Sequence, residues 1–344
     1  MSLLYDARWA RNVMPALPSA LRHLMPIIVF TSYWLLPLLL LLMFNDASYP
    51  RGYRNYQYAS AYLGDASHII FAFLISFATA PLVYLQSASG VSYICAAGRF
   101  SQPRKESLKK LELLRSPVVK RGGLILGLLF AGYVAKLFLD RRYDPNFRYW
   151  WGSSVAGPAG AYFVFIVSLM TLWAIRAVAV LVALAALISA LTRKKLVYDP
   201  YIMDNCNGLR SLGSLIISIW IFSLTVAVSI FVVFRYGYLG IERTEGIRAL
   251  ALVICLSLPS VAVVPLISCS RAVRKARNVF VKTTFTYSKK RNGIEPDMIE
   301  VGNMLAARKE IFKAHTLPVN IRIVGVLALI NLLQAAAAVK EIVK

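Results

Sequence analysis

The sequence predicts an all-α, polytopic helical membrane protein with six or seven transmembrane helices, a cytoplasmic N-terminus and a helical cytoplasmic extension. Three observations lead there. Of 344 residues 58% are hydrophobic, and the mean hydropathy is +0.61; soluble domains are about 45–50% apolar. Only 16% of the residues are charged, and they cluster between long apolar runs. Lys and Arg fall on alternate connections, as the sidedness of a membrane requires.

Apolar runs of roughly 18 residues or more read as spans. They occur at 26–44, 68–86 or on to 97, 122–139, 160–192, 214–234 and 249–268. A seventh, weaker run at 321–339 carries Arg322, Asn331 and Gln334. The strand alternation of a transmembrane barrel is missing. The first apolar run starts late and has full transmembrane length, unlike a cleavable leader. The chain divides into an N-terminal segment 1–25, a six-span domain 26–269, a cytoplasmic helical region 270–320 and a terminal helix 321–344.

Twenty-six Lys and Arg residues lie in 1–25, 99–121, 193–213 and 270–316, against eight on the opposite connections. The positive-inside rule places the richer side in the cytoplasm. The expected location is a membrane crossed several times, with the anionic inner leaflet as a partner of the basic loops. That lipid contact also accounts for most of the net charge of +23. Segment 270–293 is basic and carries Phe280, Phe285 and Tyr287, yet a juxtamembrane helix is favoured over nucleic-acid binding. The outer connections are short and aromatic. Trp150 and Trp151 suit an interfacial belt, and Tyr49, Tyr53, Tyr56, Tyr58 and Tyr62 crowd the first outer loop.

Within the spans, Gly123, Gly127 and Ala131 form a small-residue stripe that lets helices approach closely. Ala179, Ala183, Ala186 and Ala190 read the same way. Such stripes serve packing inside one subunit or contact between subunits. The fourth run is too long for the bilayer and projects beyond it, at 1.5 Å per residue. Its Arg176 is either a functional intramembrane charge or a side chain that snorkels to the interface; Lys136 is expected to snorkel. Pro37, Pro81, Pro259 and Pro265 each remove a helix hydrogen bond, and "QSASGVS" at 86–92 is polar and flexible.

No Asp or Glu lies centrally in any span. Proton- and cation-coupled carriers use such a carboxylate, so that class is disfavoured. Cys95, Cys206, Cys255 and Cys269 have no paired spacing, and His23, His68 and His315 are scattered. These are read as buried thiols and surface imidazoles, not metal ligands. No nucleotide loop or metalloprotease motif appears, so neither an enzyme nor a cofactor is expected. Residues 292–315 read as a cytoplasmic helix, with Pro296 near its start and an apolar face of Met298, Val301, Met304 or Leu305, and Phe312.

The terminal helix is the pore candidate. Leu327, Asn331, Gln334 and Ala338 share one side, an apolar stripe flanked by amides. The ordinary alternative is hydrogen bonding between helices by Asn331 and Gln334.

The stretch "RKKLVYDPYIMDNCNGLRSLGS", 193–214, joins spans four and five. Asn207-Gly208 is a turn dipeptide, and Asp204 and Asn205 are capping types. Asp204, Asn205, Asn207, Gly208 and Arg210 are candidates for a ligand-contacting or gating loop. "DNCNGLRSLG" resembles a cytoplasmic-loop motif of bacterial multi-pass membrane proteins, roughly Asp-Gly-x-Gly-Gly-Leu-Arg-Pro-Leu-Gly. Asp204, Gly208, Leu209, Arg210, Leu212 and Gly213 match; Asn205, Asn207 and Ser211 depart, and Ile202-Met203 stand where that pattern has His-Pro. The resemblance implies a bacterial inner-membrane protein and no activity. In topology alone the chain resembles the seven-span insect chemoreceptor channels.

The functional expectation is a homo-oligomeric inner-membrane channel or pore gated from its cytoplasmic loops. The alternatives are a membrane-anchored effector or partner subunit that meets a cytoplasmic protein, and a carrier for a neutral or anionic solute.

Overall fold

The computed structural model describes residues 24–43, 62–64, 66–113, 117–140, 158–199, 208–235, 245–291 and 321–343, with isolated positions between 303 and 311. Among these the chain is helical, and no strand occurs. The helices are α1 (Met25–Met43), α2 (Ala66–Arg99), α3 (Arg104–Leu113) and α4 (Pro117–Asp140), then α5 (Pro158–Leu191), α6 (Arg210–Arg235), α7 (Glu245–Arg291) and α8 (Ile321–Val343). Four stretches are long and apolar enough to cross a membrane: Met25–Met43, His68–Leu85, Pro158–Leu191 and Arg210–Val232. The helix of 270–293 is no separate element, because α7 runs through the 269/270 boundary without a break.

Helix α6 is the hub. It packs on α2, α7, α5 and α8, and 61% of its apolar window is buried. Its buried residues Leu212, Leu215, Ile216, Ile219, Trp220 and Phe222 anchor the larger core. A smaller core joins α1, α2 and α5 through Tyr33, Leu38, Ala72, Phe163 and Val167.

Helix α4 shows how the stripe of small residues works. Leu124, Ile125, Leu128, Leu129 and Phe130 point outward, each more than a third exposed, while Gly123, Gly127 and Ala131 face α5. A Cβ on Gly127 would stand 3.0 Å from the Leu172 carbonyl oxygen, and one on Gly123 would stand 3.4 Å from the Ala179 Cβ. The stripe therefore packs inside one chain. Large residues outside and small ones inside is the pattern of helices in lipid. In the alanine series, Ala179 sits in that contact, whereas Ala186 and Ala190 are exposed.

Helix α1 departs from regularity at Thr31–Leu35, which form a π turn. The cause is Pro37, which has no N–H and crowds the carbonyl four residues back. The wider turn absorbs it, and Leu36 N–H bonds Thr31 O. Two distant tyrosines supply donors to the carbonyls of this turn. The Tyr162 hydroxyl donates to Ser32 O at 2.9 Å, and the Tyr62 hydroxyl donates to Trp34 O at 2.7 Å.

Several expectations are corrected. Pro81 and "QSASGVS" do not interrupt α2, which continues to Arg99, the longer of the two extents that the second run allowed. Ser89 donates to Leu85 O and Thr79 to Ser76 O, so hydroxyls in this helix use carbonyls one turn back. Helix α7 likewise passes through Pro259 and Pro265. His68 is no surface imidazole; it is fully buried among Tyr33, Tyr62 and Phe163, with Nδ1 3.4 Å from the Tyr33 hydroxyl. Cys95 is exposed and no buried thiol, whereas Cys269 is buried as expected. Cys206, His23, His315, Trp150 and Trp151 lie outside the described residues, as do the Cys255 side chain and most of 292–315.

Candidate functional site

Two places in the fold gather the polar groups singled out by the sequence. The first joins the loops at the end of α2 and after α5. Helix α2 stops with Ser101 in the left-handed region, at φ 51°, and Gln102 N–H bonds back to Ala97 O. That is a Schellman stop with Ser where Gly is usual. It aims Arg99 at the segment after α5. Val197 N–H donates to Arg99 O at 2.9 Å, and Arg99 Nη2 donates to Val197 O at 3.2 Å. Arg99 Nη1 lies 3.9 Å from the Asp199 carboxylate.

Gly208 closes this junction. Its φ is +76°, and a Cβ there would meet Arg99 Cδ at 3.3 Å. The turn glycine therefore has two reasons to be glycine: backbone conformation and the guanidinium stem beside it. Leu209, fully buried, follows at once and immediately precedes α6. Gly208→Ala is expected to destabilise the junction by about 1–3 kcal/mol, from left-handed strain and lost room. Limited proteolysis between α5 and α6 would read this as faster cleavage at 193–210 with α2 unchanged. Equal cleavage rates would show that the glycine is not needed.

Beside it, Glu106 on α3 accepts from Lys194 Nζ at 2.7 Å and from Lys110 Nζ at 3.1 Å. The Lys194 bond first, then the Lys110 bond, hold this carboxyl below the usual carboxylate range. Tyr198 packs its ring on Phe280 of α7, with centroids 5.3 Å apart, and burial pushes its hydroxyl pKa up. Phe280 is thus engaged with a protein ring. The junction ties α2, α3, the end of α5 and α7 into one basic platform. Arg193, Lys195, Arg271, Arg274, Lys275 and Lys282 are exposed on or beside it.

The second place is the inner face of α8. Leu327 and Gln334 are 7% and 8% exposed, and Asn331 is half-buried. Helix α8 packs on α7 and α6, so this face turns into the chain's own helix pack. Asn331 Oδ1 and both Gln334 amide atoms meet no protein partner among the described residues. A buried amide without a partner costs on the order of 1–3 kcal/mol per group. Leu329, Ile330, Leu332 and Leu333 face outward. The side chain of Ala338 lies outside the described residues.

The remaining candidates separate. Arg176, midway along α5, is half-buried with its guanidinium 5.0 Å over the Trp173 ring, a cation–π contact within its own helix. Lys136 is exposed. Arg210 is exposed at the start of α6, while Asp204, Asn205 and Asn207 lie outside the described residues. The sequence reading missed Arg99, Val197, Asp199 and the Glu106–Lys194 pair. Only the Glu106–Lys110 spacing, four apart on a helix, was a signal there. Among the described residues no group of His, Cys, Asp and Glu could hold a metal ion.

No protein-family model, curated protein or solved structure matches this chain.

Proposed function

We propose that the chain is a non-enzymatic membrane channel or pore of six or seven spans, in the bacterial inner membrane, working as a homo-oligomer. The observation that carries this reading is the buried amide of Gln334, with Asn331 one turn before it, on a helix otherwise clad in leucine, isoleucine and alanine. Polar groups are costly among apolar helices unless they serve a pathway or a bond between helices. Because this face turns inward, the path runs between α6, α7 and α8 of each subunit and not along a symmetry axis. Leu327 is the apolar constriction at one end of it. The absence of a central carboxylate in the spans supports passive conduction over proton- or cation-coupled transport.

Replacing Asn331 and Gln334 together by Leu is expected to reduce unitary conductance or flux at least tenfold, read in planar bilayers or proteoliposomes. Unaltered transport by that double variant would remove the pore assignment.

A second reading has its own observation, the platform of α3, the 193–199 segment and the end of α7. A basic surface fixed by ion pairs suits an effector subunit that receives a cytoplasmic protein or lies on anionic lipid.

A further inference from the structure

Gln334 is nine-tenths buried, yet neither its Nε2 nor its Oε1 meets a protein partner among the described residues. Asn331 Oδ1, three residues earlier on the same face, is in the same position. On α6, which packs on α8, the indole N–H of Trp220 also lacks a protein acceptor, at 3% exposure. Elsewhere in the helices, polar side chains are settled locally. Ser76, Thr225, Ser229 and Ser189 each donate to the carbonyl one turn back. Trp34 Nε1 and Ser168 Oγ share the lack of a protein partner with Trp220, but Gln334 has both its donor and its acceptor in that state.

Their chemistry narrows what could satisfy them. A second copy of the chain cannot reach Gln334, because its own α8 pack covers it. A bare ion finds no counter-charge: Arg322, Lys340 and Glu341, the charges of α8, stand at its two ends. An amide offers both a donor and an acceptor. The partner that uses both is a small neutral molecule that donates and accepts hydrogen bonds.

We propose that Gln334 and Asn331 form a site for such a neutral solute, water or a urea-sized amide, where α8 packs against α6 and α7. The proposal rests on the pore reading for passage but not for occupancy. It makes the permeant class neutral and hydrogen-bonding, with Gln334 taking over bonds the solute leaves behind in bulk water.

The test uses the full chain in lipid vesicles, with empty vesicles as reference. Stopped-flow light scattering under a sucrose gradient reads water, and under a urea gradient reads urea. A fluorescent potassium and chloride assay reads ions. Wild type is expected to raise water or urea permeability several-fold. Gln334→Met, which keeps the volume, should return it to background. Leu332→Ala, on the outward face, should leave it unchanged. Whichever gradient responds identifies the solute. Ion flux without neutral flux would overturn this proposal and leave the pore reading standing. If neither passes, the pore reading fails, and thermal unfolding of the same proteins decides the site. A Gln334→Met protein that melts higher than wild type would mean dry amides and would overturn the site. One that melts several degrees lower would mean that the amides hold a molecule that does not cross.

Discussion

Gly127→Ala lowers the apparent Tm of the full chain by several degrees, while Gly132→Ala, five residues on, leaves it unchanged or slightly higher. Two opposed effects decide this. Replacing a helical glycine by alanine gains roughly 1 kcal/mol of helix propensity at either position. At Gly132 a new methyl meets nothing within 4 Å, so that gain stands alone. At Gly127 the methyl would stand 2.6 Å from Leu172 Cδ1 and 3.0 Å from the Leu172 carbonyl oxygen. The Cδ1 can rotate away; the carbonyl belongs to the α5 backbone and cannot. Helix α4 must then move outward, at an overpacking cost of about 1–3 kcal/mol, before the lost contacts of Gly123 and Ala131 are added. Gly127→Leu should detach α4 altogether and leave the protein poorly extractable as a monodisperse particle. The check is a melting series by fluorescence-detected size exclusion in one detergent. Equal melting of the Gly127→Ala and Gly132→Ala proteins would contradict the close α4–α5 contact.

The second large effect concerns the π turn of α1. Pro37 has no N–H to offer Ser32 or Tyr33, the carbonyls that residue 37 would serve in π or α register. The Tyr162 and Tyr62 hydroxyls come from 130 and 28 residues away to donate to Ser32 O and Trp34 O. Tyr62→Phe is expected to cost about 1–3 kcal/mol, because Tyr62 is fully buried and its hydroxyl serves Trp34 O at 2.7 Å and Tyr33 O at 3.5 Å. Tyr162→Phe costs less, near 1 kcal/mol, since its ring is half-buried and water can reach the turn. The informative variant is Pro37→Ala, which restores a backbone donor and lets the turn close to ordinary α geometry. In that background the Tyr162→Phe penalty should shrink by about half or more, a coupling read from a double-mutant cycle of melting free energies. Strictly additive effects would mean that the hydroxyls do not compensate for Pro37.

These two cases also mark where the sequence was legible. The α4 stripe could be read because three small residues recur at helical spacing, and that spacing alone fixes one face. The Gly208 turn could be read because Asn-Gly carries its own conformational preference, and φ at Gly208 is +76°. The helices lie where the apolar runs place them, within a few residues, apart from α2, which runs on past 86 to Arg99, and α7, whose basic half continues the same helix. The π turn was not legible beyond its proline, because its other participants are 28 and 130 residues distant. His68 misled for a similar reason: an imidazole looks like surface until two tyrosines close over it from other segments. The serines of 86–92 suggested flexibility by composition, yet the Ser89 hydroxyl uses a carbonyl of the same helix. The inward turn of the α8 amides required knowing which helices it packs on, a property of the whole bundle.

At 47 residues, α7 is a rod of roughly 70 Å at 1.5 Å per residue. Its basic end meets Tyr198 through Phe280, while buried Ala262 and Leu266 lie far along the same rod in the core of α6. One continuous helix thus joins the platform to the core, with Phe280 about 21–27 Å along it from Leu266 and Ala262.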